Sequence, residues 1–428
     1  MTQLSPREKH RRSFLKYLAA SPVLTAGAKS ALAATAAEMP ARPADPMVWW
    51  PQDPNYLVTN PEDALDVFEL EAVAHKNVPP SHFGFVASGA DDDGSVRANR
   101  QDISKFALRG RRLRDVRQVD TSMTIFNTKY SLPFYLCPVG YESAVHQDGV
   151  LGALRASGRH NCGQMLSTYA SATVASANQA RNGTPVFFQL YNQRNWEITK
   201  SIVQRAEREG AKMMAFTIDN GSARKDTQFE RSKRFDSRLC ATCHEVPDPK
   251  RPKDQRSPIR ERPVFSEISD EMLAAKVEGT AQTWELVKRL RDITKMELFL
   301  KGVMHPDDAD MAAKLGYGVY VSNHGGRNED TSASTISALP DIVSIVKKRV
   351  PIFIDGGFRR GMDIAKALCL GATMVGFGRP WMWGLGAFGE AGVDRVIQIM
   401  KAELIAAMQQ LGAQSVKDLN QSLVYKSL

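Results

Sequence analysis

The chain has 428 residues, 43% of them hydrophobic, and a net charge of +9. That length and composition support a large buried core, as one big α/β domain or two smaller ones. The basic excess is moderate, and no dense Lys/Arg block is interleaved with aromatics, which argues against nucleic-acid binding. No apolar run of about 18 residues occurs, so no membrane-spanning helix is expected.

The N-terminal stretch "HRRSFLKYLAASPVLTAGAKSALAATAAE" joins Arg11 and Arg12 to Ser-Phe-Leu-Lys, an Ala/Leu-rich run and the small residues Ala31-Leu32-Ala33. Residues 1–37 therefore read as a twin-arginine export signal, which implies a periplasmic protein exported already folded. A disordered basic tail is the plainer alternative. Residues 38–60 read as a Pro-rich linker.

Residues 61–130 precede the first strand candidate and are expected to form helices that close the bottom or flank of a barrel. Eight apolar runs then alternate with amphipathic helical stretches. They are "LPFYLCPV" (132–139), "GQMLST" (163–168), "PVFFQLY" (185–191), "MMAFTID" (213–219), "ELFLKGV" (297–303), "GVYVSNHG" (318–325), "PIFIDGG" (351–357) and "ATMVGFG" (372–378). Near-continuous apolar runs are what parallel strands covered on both faces require. The intervening "WEITKSIVQRAEREG" (196–210) and "GMDIAKALCLG" (361–371) carry helical periodicity. Eight βα units in roughly 250 residues predict an α/β fold of the (β/α)8 barrel type over residues 61–428, with a long loop after the fourth strand.

Chemistry in such barrels sits at the carboxyl ends of the strands. Those ends read Ser167, Gln189, Tyr191, Thr217, Asp219, Lys301, His324, Arg327, Asp355 and Arg379, a nearly unbroken polar ring on apolar strands. Each alone has a dull explanation as a solvated strand end; their convergence predicts an active site. "DGGFRRG" and "GFGRP" add glycines at the last two strand ends beside Arg359 and Arg379, which suits a phosphate bound by backbone N–H groups.

These residues resemble the FMN-dependent L-2-hydroxy acid oxidases and dehydrogenases, which include glycolate oxidase, lactate oxidase, lactate dehydrogenase and mandelate dehydrogenase. The resemblance rests on "ASGADDDGSVRANR" (87–100), "FFQLY" (187–191), "TID" (217–219), "LKGV" (300–303), "SNHGGR" (322–327), "DGGFRRG" (355–361) and "GRP" (378–380). It implies that Asp355, Gly357, Arg359, Gly378 and Arg379 bind FMN, the last four through its phosphate, and that Ser167, Gln189 and Thr217 lie against its ring. Lys301 would sit near the ring edge that becomes negative on reduction. His324 would be the base, Arg327 the carboxylate clamp, Tyr191 a partner of the substrate hydroxyl, and Asp219 the group that stabilises protonated His324.

Three departures from the family pattern touch the site, one of them "CPVGY" (137–141) at the end of the first strand, where the family often has Ala-Pro-Thr-Ala. The family's tyrosine before Ala-Ser-Gly is Phe85 here, which removes a hydrogen bond to a carboxylate. The family's Gly-Arg-Arg-Glu after the fourth strand is replaced by "SARKDTQFERSKR", where Arg224 or Lys225 would have to substitute. The resemblance therefore predicts either oxidation of a lactate-like acid or the same chemistry on a bulkier or modified alcohol. A phosphate-binding barrel without turnover is the alternative from another class. Reduced flavin would pass its electrons to a cytochrome, a quinone or O2, and members of the family often form homo-oligomers.

The loop of residues 220–280 carries Cys240-Ala241-Thr242-Cys243-His244, and the chain has only 5 cysteines. Cys-x-x-Cys-His is the attachment pattern of c-type haem. A Cys240–Cys243 disulfide and a metal clip completed by His244 remain open alternatives. Cys137, Cys162 and Cys369 read as buried thiols. Residues 220–262 hold 12 Lys/Arg against 7 Asp/Glu, a charge pattern for docking on an anionic membrane surface or an acidic acceptor, or simply for a solvated loop.

Overall fold

A computed structural model describes residues 57–193, 195–220, 225–236, 262–275 and 281–426. The expected signal segment, most of the linker, and Cys240, Cys243 and His244 lie outside the described residues.

The eight apolar runs form a closed parallel barrel in chain order: β1 Phe134–Leu136, β2 Gly163–Ser167, β3 Phe187–Leu190, β4 Met213–Thr217, β5 Glu297–Val303, β6 Gly318–Val321, β7 Ile352–Ile354 and β8 Met374–Phe377. Closure comes from β8 pairing back on β1, with Val375 opposite Phe134. Every strand except β5 is shorter than its apolar run. The polar residues near the ends of the runs stand in the last part of the ladder, as Ser167, Gln189, Thr217 and Lys301 do, or just beyond it, as His324 and Asp355 do, which is why strand ends and site residues coincide. Inside, Tyr135, Phe187, Phe299, Tyr320 and Phe353 pack with Met165, Met213 and Met374 as an aromatic-rich core. The outer helices are fixed by local chemistry; Asn195, for example, caps Trp196–Arg208 by accepting from the Glu197 N–H at 3.0 Å. Cys137, Cys162 and Cys369 are buried free thiols, as expected.

Of the two placements expected for the N-terminal helices, the flank is found and the bottom is not. The bottom is closed by a β-hairpin, Met123–Ile125 paired with Thr128–Tyr130. Ile125 and Tyr130 enter the core, and Phe126 meets Phe187 and Phe299 edge-on at 6.4 and 5.7 Å. The preceding helices lie elsewhere. Helix α1, Val67–Asn77, runs against the kinked helical segment Arg379–Leu411, whose two helices meet at Phe388 and Gly389. Helices α2, Pro80–Ala87, and α3, Gly94–Gln101, pack over the mouth. The Ala90 N–H donates to Gly326 O at 2.9 Å, and the Ser95 N–H donates to Asp330 at 2.6 Å. A buried bottom needs apolar side chains on a thin element, whereas helices with polar α3 residues fit the wet, functional end. The loop after β4 also contains a helix, Thr227–Lys233, whose Phe229 is buried at the mouth.

Candidate active site at the barrel mouth

The loops after β7 and β8 build an anion site. Gly357 sits at φ 87°, and a Cβ there would lie 2.1 Å from Asn99 O, so only glycine lets α3 come this close. Asp363 accepts from the N–H groups of Arg359 and Arg360, both at 3.0 Å, and pairs with Arg100 at 2.5 Å. Those two amides are therefore engaged within the loop, and the positive charge facing the cavity comes chiefly from side chains. Arg379 donates to the carbonyls of Val86, Ala87, Ser88 and Gly325 at 2.9–3.2 Å. Burial, then Arg359 and Arg327, push its guanidinium down to about 9. This concentration of positive charge favours an anion beside Arg359 and Arg379, with Arg327 adding to the field.

The floor is a chain of hydrogen bonds. Ser167 donates to Gln189 Oε1 at 3.1 Å, and Gln189 donates to Thr217 Oγ1 at 2.8 Å, which orients three neighbouring strand ends. Lys301, only 3% exposed, donates to Ser322 Oγ at 3.1 Å. The Ser322 hydroxyl donates to Asp355 Oδ1 at 2.7 Å.

Beside the floor stands His324, held at φ 57° in the left-handed region and anchored by its N–H to Ser322 Oγ at 3.1 Å. Its Nδ1 lies 3.0 Å from Asp219 Oδ1 and 2.9 Å from the Asn328 amide, and its Nε2 lies 3.0 Å from the Tyr191 hydroxyl. The close approach of Asp219 depends on Gly302. A Cβ there would lie 2.7 Å from that of Asp219, at a bulge where β5 shifts register against β6. Burial, followed by the Lys301 charge, pulls the His324 pKa below its ordinary 6.5 despite the opposing pull of Asp219. Burial pushes the Asp219 carboxyl up, but His324, Lys301 and hydrogen bonds outweigh it and hold the group below the usual range. The result is a neutral imidazole at neutral pH with an anion behind it. Arg327 donates to the carbonyls of Phe85 and of Ser88, the latter at 3.1 Å, and its guanidinium stacks 4.6 Å from the centre of the Phe85 ring.

These groups surround one cavity of about 500 Å³. Its wall brings together Phe85, Ser167, Tyr191, Lys301, His324, Arg327, Asp355, Gly357, Arg359, Gly378 and Arg379, all expected from sequence. Gln189 and Thr217 belong to the hydrogen-bonded floor, and Asp219 stands behind His324 at 3.0 Å. Lys225 is exposed, with its carbonyl accepting from the Asp91 N–H at 2.8 Å, and Arg224 lies outside the described residues. Sequence reasoning missed Asn328, four positions after His324 in the same loop, and the aromatic wall of Tyr141, Tyr169 and Phe229. The Asn328 signal was available in "HGGRN"; the wall residues carried none.

Such a mouth suits an elongated phosphate-bearing cofactor, with the anion at β7–β8 and the reacting end between Lys301 and His324. The glycine cradle, the arginine cluster and the cavity volume fit that kind of ligand. The family described as FMN-dependent dehydrogenase matches residues 74–426. A 2-hydroxyacid oxidase of Dictyostelium discoideum is 34% identical over 84% of this chain and 90% of that protein. The L-lactate dehydrogenase (cytochrome) of Wickerhamomyces anomalus is 31% identical over 84% of this chain and 61% of that protein. A crystal structure of mandelate oxidase with benzoyl-formic acid superposes with a TM-score of 0.72 at 29% identity, covering 85% of this chain and 98% of that one. The chain belongs to the FMN-dependent dehydrogenase family. It is an enzyme of the FMN-dependent 2-hydroxy acid oxidase and dehydrogenase class.

Proposed function

We propose that this enzyme is exported and oxidises an L-2-hydroxy acid of lactate type to the 2-oxo acid, handing the electrons to a cytochrome, a quinone or O2. The observation that carries the reading is the His324 imidazole facing the cavity, backed by Asp219 at 3.0 Å and accompanied on the cavity wall by Arg327. FMN, when bound, supplies the two-electron acceptor for the substrate's α-carbon. Asp355, Gly357, Arg359, Gly378 and Arg379 would hold it, with Ser167, Gln189 and Thr217 shaping the floor. Arg327 binds the substrate carboxylate and fixes the α-carbon in reactive geometry. His324 Nε2 takes the substrate proton, and Asp219 stabilises the imidazolium that forms. Tyr191, whose hydroxyl lies 3.0 Å from that same Nε2, orients the substrate hydroxyl.

Phe85 favours a second reading, in which the substrate is bulkier. Its ring meets Tyr141 and Phe229 edge-on at 5.9 and 5.7 Å, which makes this side of the cavity apolar where a hydroxyl would grip a carboxylate. Export is supported by the Arg11-Arg12 segment, and the basic loop supports docking on an acidic acceptor or an anionic membrane surface, with a homo-oligomer as the assembled form. In an oxidising compartment, Cys240, Cys243 and His244 suit haem c or a disulfide.

Purified protein tests the reading. The expected result is a yellow protein whose band bleaches anaerobically with an L-2-hydroxy acid; a screen running from lactate to mandelate ranks substrate size. A yellow protein that no 2-hydroxy acid bleaches would leave a binding barrel without turnover. A Soret band that survives acid-acetone extraction identifies haem c, and flavin bands alone exclude it.

A further inference from the structure

Tyr320 of β6 is fully buried inside the barrel beside Tyr135, Phe299 and Phe353. Barrel interiors are usually filled by branched aliphatic side chains, and a buried phenol needs a partner for its hydroxyl. That partner is in the active site: the Tyr320 hydroxyl donates to Asp355 Oδ2 at 2.7 Å. The Cys137 thiol lies 3.6 Å from the same oxygen and 3.7 Å from the Tyr320 hydroxyl. The other carboxylate oxygen is taken by Ser322 at 2.7 Å, and Ser322 also accepts from Lys301 at 3.1 Å. Neutral donors thus occupy both oxygens of Asp355, and Lys301 meets this carboxylate only through a hydroxyl. Among the described residues Lys301 forms no ion pair. The Tyr320 ring lies 5.3 Å from its ammonium.

We propose that Tyr320, seconded by Cys137, is a positioning residue that keeps Asp355 occupied, so that the Lys301 charge acts on the flavin and sets its reduction potential. The inference rests on the FMN reading of the cavity and on Lys301 facing the cofactor there. A carboxylate with a loosened oxygen draws in the nearest cation, and an ammonium paired with it projects a weaker field into the cavity. Positive charge favours the more negative, reduced state, so pairing Lys301 lowers the potential. Tyr320 does this without touching the cofactor itself.

The test uses FMN-loaded Tyr320→Phe, which keeps the ring and removes the hydroxyl, equilibrated anaerobically with a reference dye. The ratio of reduced to oxidised flavin at a fixed dye ratio is expected to fall about tenfold, which is ~30 mV for a two-electron couple. Cys137→Ala, which removes the longer contact, is expected to shift the same ratio about two- to threefold in the same direction. The substrate dissociation constant stays within about twofold in both variants, because the carboxylate is held by Arg327. An unshifted dye equilibrium in Tyr320→Phe with FMN bound one to one overturns the inference. Should that variant not fold, an unshifted Cys137→Ala does so. A colourless wild-type protein would overturn the FMN reading first and this inference with it. A yellow, bleachable wild type with unshifted variants removes this inference alone.

Discussion

Replacing Asp219 with asparagine isolates the charge behind the base. The carboxylate lies 3.0 Å from His324 Nδ1, with side chains only 9% and 16% exposed, so solvent screens the pair weakly. A hydrogen bond to a charged group contributes about 1.5–3 kcal/mol. Losing it destabilises the imidazolium by that amount, equivalent to roughly one to two pKa units. The wild-type His324 pKa already lies below 6.5 through burial and the Lys301 charge, and Asp219 is the group opposing that shift. Without the carboxylate, therefore, His324 falls further, and the acid limb of kcat/KM moves to lower pH by about one to two units. The plateau meanwhile drops about 10- to 100-fold, because a weaker base removes the substrate proton less readily. The assay is the rate of anaerobic flavin bleaching between pH 4 and 9 in wild type and Asp219→Asn. An acid limb that stays in place or moves up, with a plateau within twofold of wild type, would refute the assignment of His324 as a base stabilised by Asp219.

Phe85→Tyr restores a hydroxyl beside Arg327 and is expected to lower KM for small 2-hydroxy acids about tenfold or more, from about 1.5–3 kcal/mol of charge-assisted hydrogen bonding; an unchanged KM means that this hydroxyl does not set specificity. Gly357→Ala combines a positive φ with a Cβ 2.1 Å from Asn99 O, so the isolated protein is expected to lose most of its FMN by absorbance ratio, and full occupancy would contradict the cradle. Because burial and two neighbouring arginines hold Arg379 down at about 9, a phosphate dianion relieves a real electrostatic cost. FMN at a thousand times its Kd is then expected to stabilise the apoprotein by about 4 kcal/mol in thermal unfolding. Riboflavin, which lacks the phosphate, is expected to shift the midpoint far less, and an equal shift would mean that the arginine cluster is no phosphate site.

The barrel was legible because a parallel strand covered on both faces leaves a run of apolar residues that little else produces. The site was legible for a related reason: polar residues such as Lys301 and His324 stand out where those runs stop. The hairpin plug was not legible, since "MTIFNTKY" is too short to separate a hairpin from a flanking segment. The position of α2 and α3 over the mouth was equally hidden, because it depends on contacts such as Arg379 with Val86, 293 residues apart. Tyr320 illustrates the opposite difficulty. In "GVYV" it passes for one more apolar strand residue, and only the register of β6 against β7 turns its hydroxyl toward Asp355.

The far separation of α3 from the β7 loop bears on how this protein matures. Arg100 pairs with Asp363 across 263 residues, and Gly357 clears Asn99 with no room to spare. A nascent chain halted before the seventh strand would possess its base-supporting carboxylate and its lysine, yet would have no berth for a phosphate. Cofactor retention is thus a readout of finished synthesis.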